Sequence, residues 1–120
     1  MPGTRLILLF EPDPALVAAL AFSLGLEGFR VEIGDAAMAR VPGDACLVIA
    51  QRQPRSDGLG LLRDLRDRGA RGPAIVLATH PGRLFRERVA AAGAALVEKP
   101  LIGDALAGAL RAAIEQDMLT

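Results

Sequence analysis

Ala45–Ala50 (ACLVIA) is an uninterrupted apolar run that lies between the turn-forming pair Pro42-Gly43 and the polar run Gln51–Gln53. An apolar run of this length, bounded by turn and polar residues, is typical of a strand buried on both faces of a sheet. Such strands occur in parallel sheets that carry helices on both sides. The stretch therefore favours an α/β fold.

The chain on either side of this run alternates between strand and helix patterns. Four further strands are predicted at Thr4–Phe10, Phe29–Ile33, Pro73–Ala78 and Ala95–Glu98. Helices are predicted at Pro14–Leu26, Asp35–Arg40, Asp57–Arg68, Arg83–Ala92 and from Asp104 to about Gln116, the second of them unusually short. Strands that alternate with helices imply right-handed crossovers and a parallel sheet. The prediction is a flavodoxin-like, doubly wound sheet in the order 2-1-3-4-5, with helices on both faces and a shortened second helix.

Length and composition restrict the function classes. The 120 residues suit one domain, 1–120, with no output domain. The 14 basic and 14 acidic residues balance, so nucleic acid and membrane surfaces are not expected partners. No secretory signal is visible, and Pro14–Leu26 is too short to span a bilayer, so a cytoplasmic location is expected. The single Cys46 is interpreted as a buried thiol.

Short motifs fall where the carboxyl ends of the predicted strands meet. They are Glu11-Pro12-Asp13, Ala50 with Pro54 and Asp57-Gly58-Leu59, Ala78-Thr79, and Ala92-Gly93-Ala94 followed by Lys99-Pro100. In order and spacing they resemble the CheY-like receiver domain of two-component response regulators, over nearly the whole chain. The resemblance implies an aspartate at the end of the third strand that accepts a phosphoryl group, with Mg²⁺ held by two acidic residues after the first strand.

This chain departs from that pattern at the residues that carry the chemistry. Ala50 stands at the acceptor position, so no acyl phosphate forms there and no catalytic residue is predicted. Glu11 matches the first acidic position, but Pro12 replaces the second and offers no side-chain ligand. No cofactor is therefore expected, and Mg²⁺ binding is expected to be weak or absent, with Glu11 as its only remnant.

The phosphoryl-contacting positions are altered as well. Ala78 replaces the hydroxyl residue, and Thr79 lies one place further along, where a strand directs it differently. Leu96 stands where the family usually has an aromatic residue. Only Lys99 matches fully, and we expect it to pair with Glu11 across the pocket. The resemblance also implies a cis bond between Lys99 and Pro100.

The helical faces are the predicted site of function. The helix from Pro14 has no charged residue, and Leu16, Leu20 and Leu24 suffice as its inner face. The interface candidates are Val17, Ala21 and Phe22 on this helix, and Ala105 and Ala109 on the last one. An exposed apolar patch of this kind favours a contact surface, the alternative being an ordinary surface of small alanines. The expected partner is a protein, either a histidine kinase or another signalling protein, or a second copy in a homodimer.

The leading hypothesis is a phosphorylation-independent receiver domain, not an enzyme, that acts as a protein–protein interaction or dimerisation module. One rival is a phosphorelay receiver with a displaced phosphosite at Asp13, Asp57 or His80. The other is a small-anion or ligand sensor that uses the vacated pocket with Lys99 and Arg52. A flavodoxin-type enzyme is not favoured, because no glycine-rich phosphate loop follows the first strand.

Overall fold

The computed structural model describes residues 5–54, 56–101 and 104–119, and five strands and four helices form within them. In chain order they are β1 (Leu6–Phe10), α1 (Pro14–Leu26), β2 (Arg30–Ile33), β3 (Cys46–Ala50), α2 (Gly58–Asp67), β4 (Ala74–Thr79), α3 (Arg83–Ala91), β5 (Ala95–Lys99) and α4 (Ala105–Met118). The predicted elements are confirmed to within one or two residues at most ends. The predicted first residue of the first strand, Thr4, lies outside the described residues.

The strands form one parallel sheet in the order β2-β1-β3-β4-β5, as predicted. β3 lies at its centre and is buried along its whole length, which explains the uninterrupted apolar run. Because all strands run the same way, the residues that follow β1, β3, β4 and β5 come together at one edge of the sheet.

Two apolar layers cover the sheet. On one face, α1 and α4 pack over alternate strand residues, among them Ile7, Val48 and Ile75. On the other face, α2 packs over residues such as Leu47 and Ile49. Successive residues of a strand point to opposite faces, so β3 supplies side chains to both layers.

The prediction of a short helix at residues 35–40 is wrong, because that segment forms a turn. The Asp35 carboxylate accepts a hydrogen bond from the backbone N–H of Ala37 at 2.8 Å. The Arg68 guanidinium donates to the carbonyl oxygens of Ala36 and Met38 at 2.6 and 3.2 Å. The seven residues between Gly34 and Pro42 are too few for a stable helix, and the side chains of Asp35 and Arg68 satisfy the backbone instead.

The first helix begins and packs largely as predicted. Asp13 is the N-cap, and its Oδ1 accepts from the backbone N–H of Ala15 at 3.0 Å. Leu20 and Leu24 are buried in the core. Val17, however, is half-buried and packs against the same core. Val17, predicted as an interface candidate outside the inner face, thus lies on the border of the buried stripe beside Leu20 and Leu24.

Candidate functional site

The end of β3 is closed by a side chain that follows it. Ala50 is buried, with 1% of its surface exposed. The Gln53 Nε2 donates to the carbonyl oxygen of Ala50 at 2.8 Å and to that of Phe10 at 3.0 Å. One amide therefore ties the carboxyl end of β3 to that of β1. Sequence reasoning missed this role, because a glutamine in a loop carries no pattern that indicates its acceptors.

A close approach between α2 and the end of β3 tightens the same loop. The backbone N–H of Gly58 donates to the carbonyl oxygen of Gln51 at 2.7 Å. A Cβ at Gly58 would lie 2.7 Å from the carbonyl oxygen of Ala50, so a larger residue does not fit without a shift. Asp57 caps α2 by accepting from the N–H of Gly60 at 2.7 Å. Its carboxylate therefore has a structural partner.

An ion pair spans the strand ends on the other side. The Lys99 Nζ lies 2.6 Å from the Glu11 Oε1, which confirms the predicted pairing. The Glu11 side chain is 3% exposed and that of Lys99 is 25% exposed. The other carboxylate oxygen of Glu11 accepts from the backbone N–H of Asp13 at 3.0 Å. Both oxygens of Glu11 are thus engaged within the protein, and the bond from Lys99 to Pro100 is cis, as the resemblance implied.

A cleft of about 850 Å³ lies above these contacts. Its lining residues are Glu11, Pro12, Asp13, Gln51, Arg52, Leu77, Ala78, Thr79, His80 and Lys99. Within it, Ala78 is buried while Thr79 and His80 are exposed. Ala50 and Leu96 are not among the lining residues, although both were predicted at the pocket. Leu96 is half-buried on β5.

The residues at the strand ends do not fit a Mg²⁺ ion. A hard cation of this kind is held by carboxylate oxygens, usually one or two, together with waters. Pro12 and Ala50 supply none, and the Glu11 carboxylate is already bound to Lys99 and to a backbone N–H. Within residues 5–54, 56–101 and 104–119, no group of three or more His, Cys, Asp or Glu side chains is placed to hold a metal ion.

The predicted interface residues divide into two groups. Phe22 and Ala105 are exposed, whereas Val17, Ala21 and Ala109 are half-buried. The exposed members are thus separated between the two helices of one face. None of the helices in the described part of the chain combines the length and apolar character needed to cross a bilayer.

Cys46 lies in β3 and is fully buried. Burial raises the pKa of its thiol, and a hydrogen bond from Arg5 opposes that rise in part. The Arg5 guanidinium also donates to the Asp117 carboxylate at 2.8 Å, which raises the pKa of Arg5. A buried thiol held in its neutral form is an inert core residue.

Comparison with known proteins gives a consistent result. No family model matches the chain. The transcriptional regulatory protein FixJ of Azorhizobium caulinodans is 33% identical over 120 residues, which cover 95% of this chain and 57% of that protein. The chain thus spans little more than half the length of this relative.

Solved structures show the same architecture. The crystal structure of FixJ-N has a TM-score of 0.80 at 27% identity and covers 92% of this chain and 94% of its own. A CheY-like response regulator receiver domain protein from Methanospirillum hungatei JF-1 has a TM-score of 0.82 at 20% identity, with coverage of 94% and 95%. The second likeness shows the fold alone.

Proposed function

Because the chain is a receiver domain of the CheY-like, response-regulator type, we propose that it acts in two-component signalling by binding a protein without accepting a phosphoryl group. It works in this proposal as a binding domain and not as an enzyme. The fold is that of a receiver, while the chemistry at the strand ends differs.

The observation that carries the proposal is the state of the β3 end. At the position where the phosphorylated receivers have a carboxylate nucleophile, this chain has the methyl group of Ala50. That residue is buried, and the Gln53 amide donates a hydrogen bond to its carbonyl oxygen. Phosphoryl transfer needs both a nucleophile and a cation that offsets the charge of the incoming group. Ala50 has no nucleophilic atom, Pro12 has no side-chain ligand for a cation, and the Glu11 carboxylate is bound to Lys99.

Protein binding is supported by what remains. The charges of the chain balance, which gives no electrostatic preference for nucleic acid. Large apolar side chains are exposed on the outward side of α1 instead, namely Phe22 and Leu26. Exposed apolar side chains that cluster on one face mark contact surfaces. A histidine kinase is one partner of suitable type, and a second copy of the chain is another.

The test is phosphorylation by a small donor. The protein is incubated with acetyl phosphate and Mg²⁺ and its intact mass is measured, with an aspartate-bearing response regulator as the positive control. We expect no phosphoryl adduct on this chain and no change in melting temperature with beryllofluoride and Mg²⁺. A stoichiometric, Mg²⁺-dependent adduct would contradict the proposal, and its position would test a displaced site at Asp13, Asp57 or His80.

The variant Ala50→Asp sharpens this test. The variant restores the acceptor carboxylate. It does not add a side-chain metal ligand at Pro12, and Glu11 stays paired with Lys99. We therefore expect the variant to remain unlabelled at donor concentrations that label the control. Rapid labelling would show that the acceptor alone is missing and that the rest of the pocket is competent.

The small-anion alternative has a weaker basis. Arg52, His80 and Lys99 line the cleft, but so do Glu11 and Asp13, and Lys99 is already paired. An anion has to compete with a buried carboxylate for Lys99. A thermal-shift screen with phosphate, sulfate and nucleotides separates the two cases, since saturable stabilisation at low millimolar concentration would favour the sensor.

A further inference from the structure

The outward side of α1 is an apolar surface with no partner among the described residues. Its members are Ala15, Ala18, Ala19, Phe22 and Leu26, all of them exposed. Phe22 is 69% exposed and Leu26 is 73% exposed. At 100° per residue, Phe22 points directly away from the buried pair Leu20 and Leu24.

The helix needs only one apolar stripe to pack on the sheet, and it has that stripe already. No charged residue occurs from Pro14 to Leu26, so no charged side chain holds the outward side of the helix in solvent. A second apolar stripe on a helix that already packs on the core indicates a further contact.

The second stripe has a spacing that suits packing against another helix. Ala15, Ala19, Phe22 and Leu26 are separated by four, three and four positions. Spacings of three and four alternate in the seam by which one helix packs against another with interlocking side chains.

The order of sizes along the stripe identifies the occupant. The small residues Ala15 and Ala19 come first, and the large residues Phe22 and Leu26 follow. In an antiparallel pair of identical helices, the register that sets Phe22 against Ala19 also sets Leu26 against Ala15. Every large side chain then meets a small one, as close packing requires. A parallel pair would set Phe22 against Phe22 and leave a gap between the alanines.

We infer that α1 pairs antiparallel with α1 of a second copy of this chain, across a two-fold axis. The pairing deepens the proposed function and rests on it, since it names one protein partner of a domain that does not use its phosphorylation site. It assigns the contact to Ala15, Ala19, Phe22 and Leu26, of which only Phe22 was predicted from the sequence.

Charges at the ends of the helix agree with this orientation. Arg111 lies 2.5 Å from Glu27 just beyond the end of α1, and about half of its side chain is exposed. Asp13 lies at the beginning of α1. The antiparallel pair brings Asp13 of one copy toward the Arg111–Glu27 pair of the other. In the same pair, the dipoles of the two helices point in opposite directions.

The contact is small, so the dimer is weak. A helix of 13 residues is about 20 Å long. Pairing two such faces buries on the order of 600–800 Å² in total, less than the roughly 1,200 Å² of a stable interface. We therefore expect a dissociation constant on the order of 10–1,000 μM.

Sedimentation equilibrium over a concentration series up to the millimolar range tests the pairing. Phe22→Lys and Ala19→Glu each place a charge in the seam, and each should weaken association at least tenfold. The double variant Ala19→Glu/Phe22→Lys should recover association at low salt, because the antiparallel register sets each new carboxylate opposite a new ammonium. The matched control is Leu84→Lys, at a residue of α3 that is also exposed, and it should associate like the wild type.

Three results would overturn the inference. One is a wild type that stays monomeric throughout, and another is a Phe22→Lys variant that associates as well as Leu84→Lys. The third is a double variant as monomeric as the single ones, which would reject the antiparallel register. Circular dichroism confirms that each variant is folded. Mass measurement after acetyl phosphate treatment is made on the same samples: a monomeric, unlabelled protein rejects only the pairing, and a labelled one rejects the proposed function.

Discussion

The ion pair between Lys99 and Glu11 makes a quantitative prediction. The variant Lys99→Met keeps most of the length of the side chain and removes its charge. The Glu11 carboxylate then keeps a single hydrogen bond, from the N–H of Asp13, in a position where 3% of its side chain is exposed. We expect the variant to fold and to be less stable.

The size of the effect follows from the burial of the two partners. Removing one partner of a fully buried ion pair costs about 3–5 kcal/mol, and a hydrogen bond to a charged group contributes about 1.5–3 kcal/mol. Lys99 is 25% exposed, so water can solvate part of the remaining charge. We therefore expect a loss of about 2 kcal/mol in the free energy of unfolding. For a domain of this size, that loss lowers the melting temperature by about 8 °C.

Urea unfolding followed by circular dichroism measures this loss. The matched control is Arg83→Met, which breaks the pair between Arg83 and Glu87, where the side chains are 94% and 60% exposed. An exposed pair of this spacing is expected to contribute at most about 0.5 kcal/mol. The double variant Glu11→Gln/Lys99→Met should be more stable than Lys99→Met alone, because it leaves no unpaired buried charge.

The reasoning is refuted if Lys99→Met costs no more than Arg83→Met. It is also refuted if the double variant loses the sum of the two single effects, since coupled partners are not additive. Either result would mean that Glu11 does not depend on Lys99 in the folded protein.

Three further predictions concern the stability of the fold. Gly58→Ala should lower the free energy of unfolding by about 2 kcal/mol, because the added Cβ would meet the carbonyl oxygen of Ala50. Gly108→Ala on α4, where a Cβ meets nothing within 4 Å, should raise it by about 0.5–1 kcal/mol. Equal effects of the two variants in urea unfolding would contradict this. Asp57→Ala should cost about 1 kcal/mol through the lost helix cap, and an unchanged urea midpoint would show that the cap is dispensable. Burial raises the pKa of the Cys46 thiol in the folded protein. The thiol therefore contributes its full share of the free energy of unfolding at a pH below the ordinary pKa of a thiol, and this share is lost as the pH rises through that pKa and beyond. The stability difference between wild type and Cys46→Ala should therefore narrow from pH 7 to about pH 10, and a constant difference would contradict this.

The regular part of the fold was predictable because its signal repeats. The central strands are compact apolar runs and each long helix has an apolar stripe, so β3 and α2 were found near their observed bounds. The segment 35–40 lacked that redundancy. Its turn depends on Arg68, which is distant in sequence and whose bonding to the backbone no local pattern indicates.

The site was predictable where it depends on residue identity and not where it depends on geometry. The side chains of Pro12 and Ala50 offer neither a metal ligand nor a nucleophile, which residue identity alone shows. The pairing of Lys99 with Glu11 follows from opposite charges at strand ends on the same edge of the sheet. The role of Gln53 depends on the distance from its amide to two carbonyl oxygens, which only the folded chain shows. The position of Val17 at the border of the buried stripe likewise depended on the rotation of α1 on the sheet.

The ion pair at the strand ends has a consequence for how such a domain would be regulated. A receiver that accepts a phosphoryl group has two forms, and its output depends on the fraction of molecules in each. On the proposed function nothing is transferred at the strand ends, where Lys99 already holds Glu11, and no second form then exists for a modification to favour. On the proposed function, the output then depends on how much of the protein is present. If the chain also self-associates weakly, its output would rise more steeply than its concentration. The output would then be set by synthesis and degradation of the chain and not by a kinase.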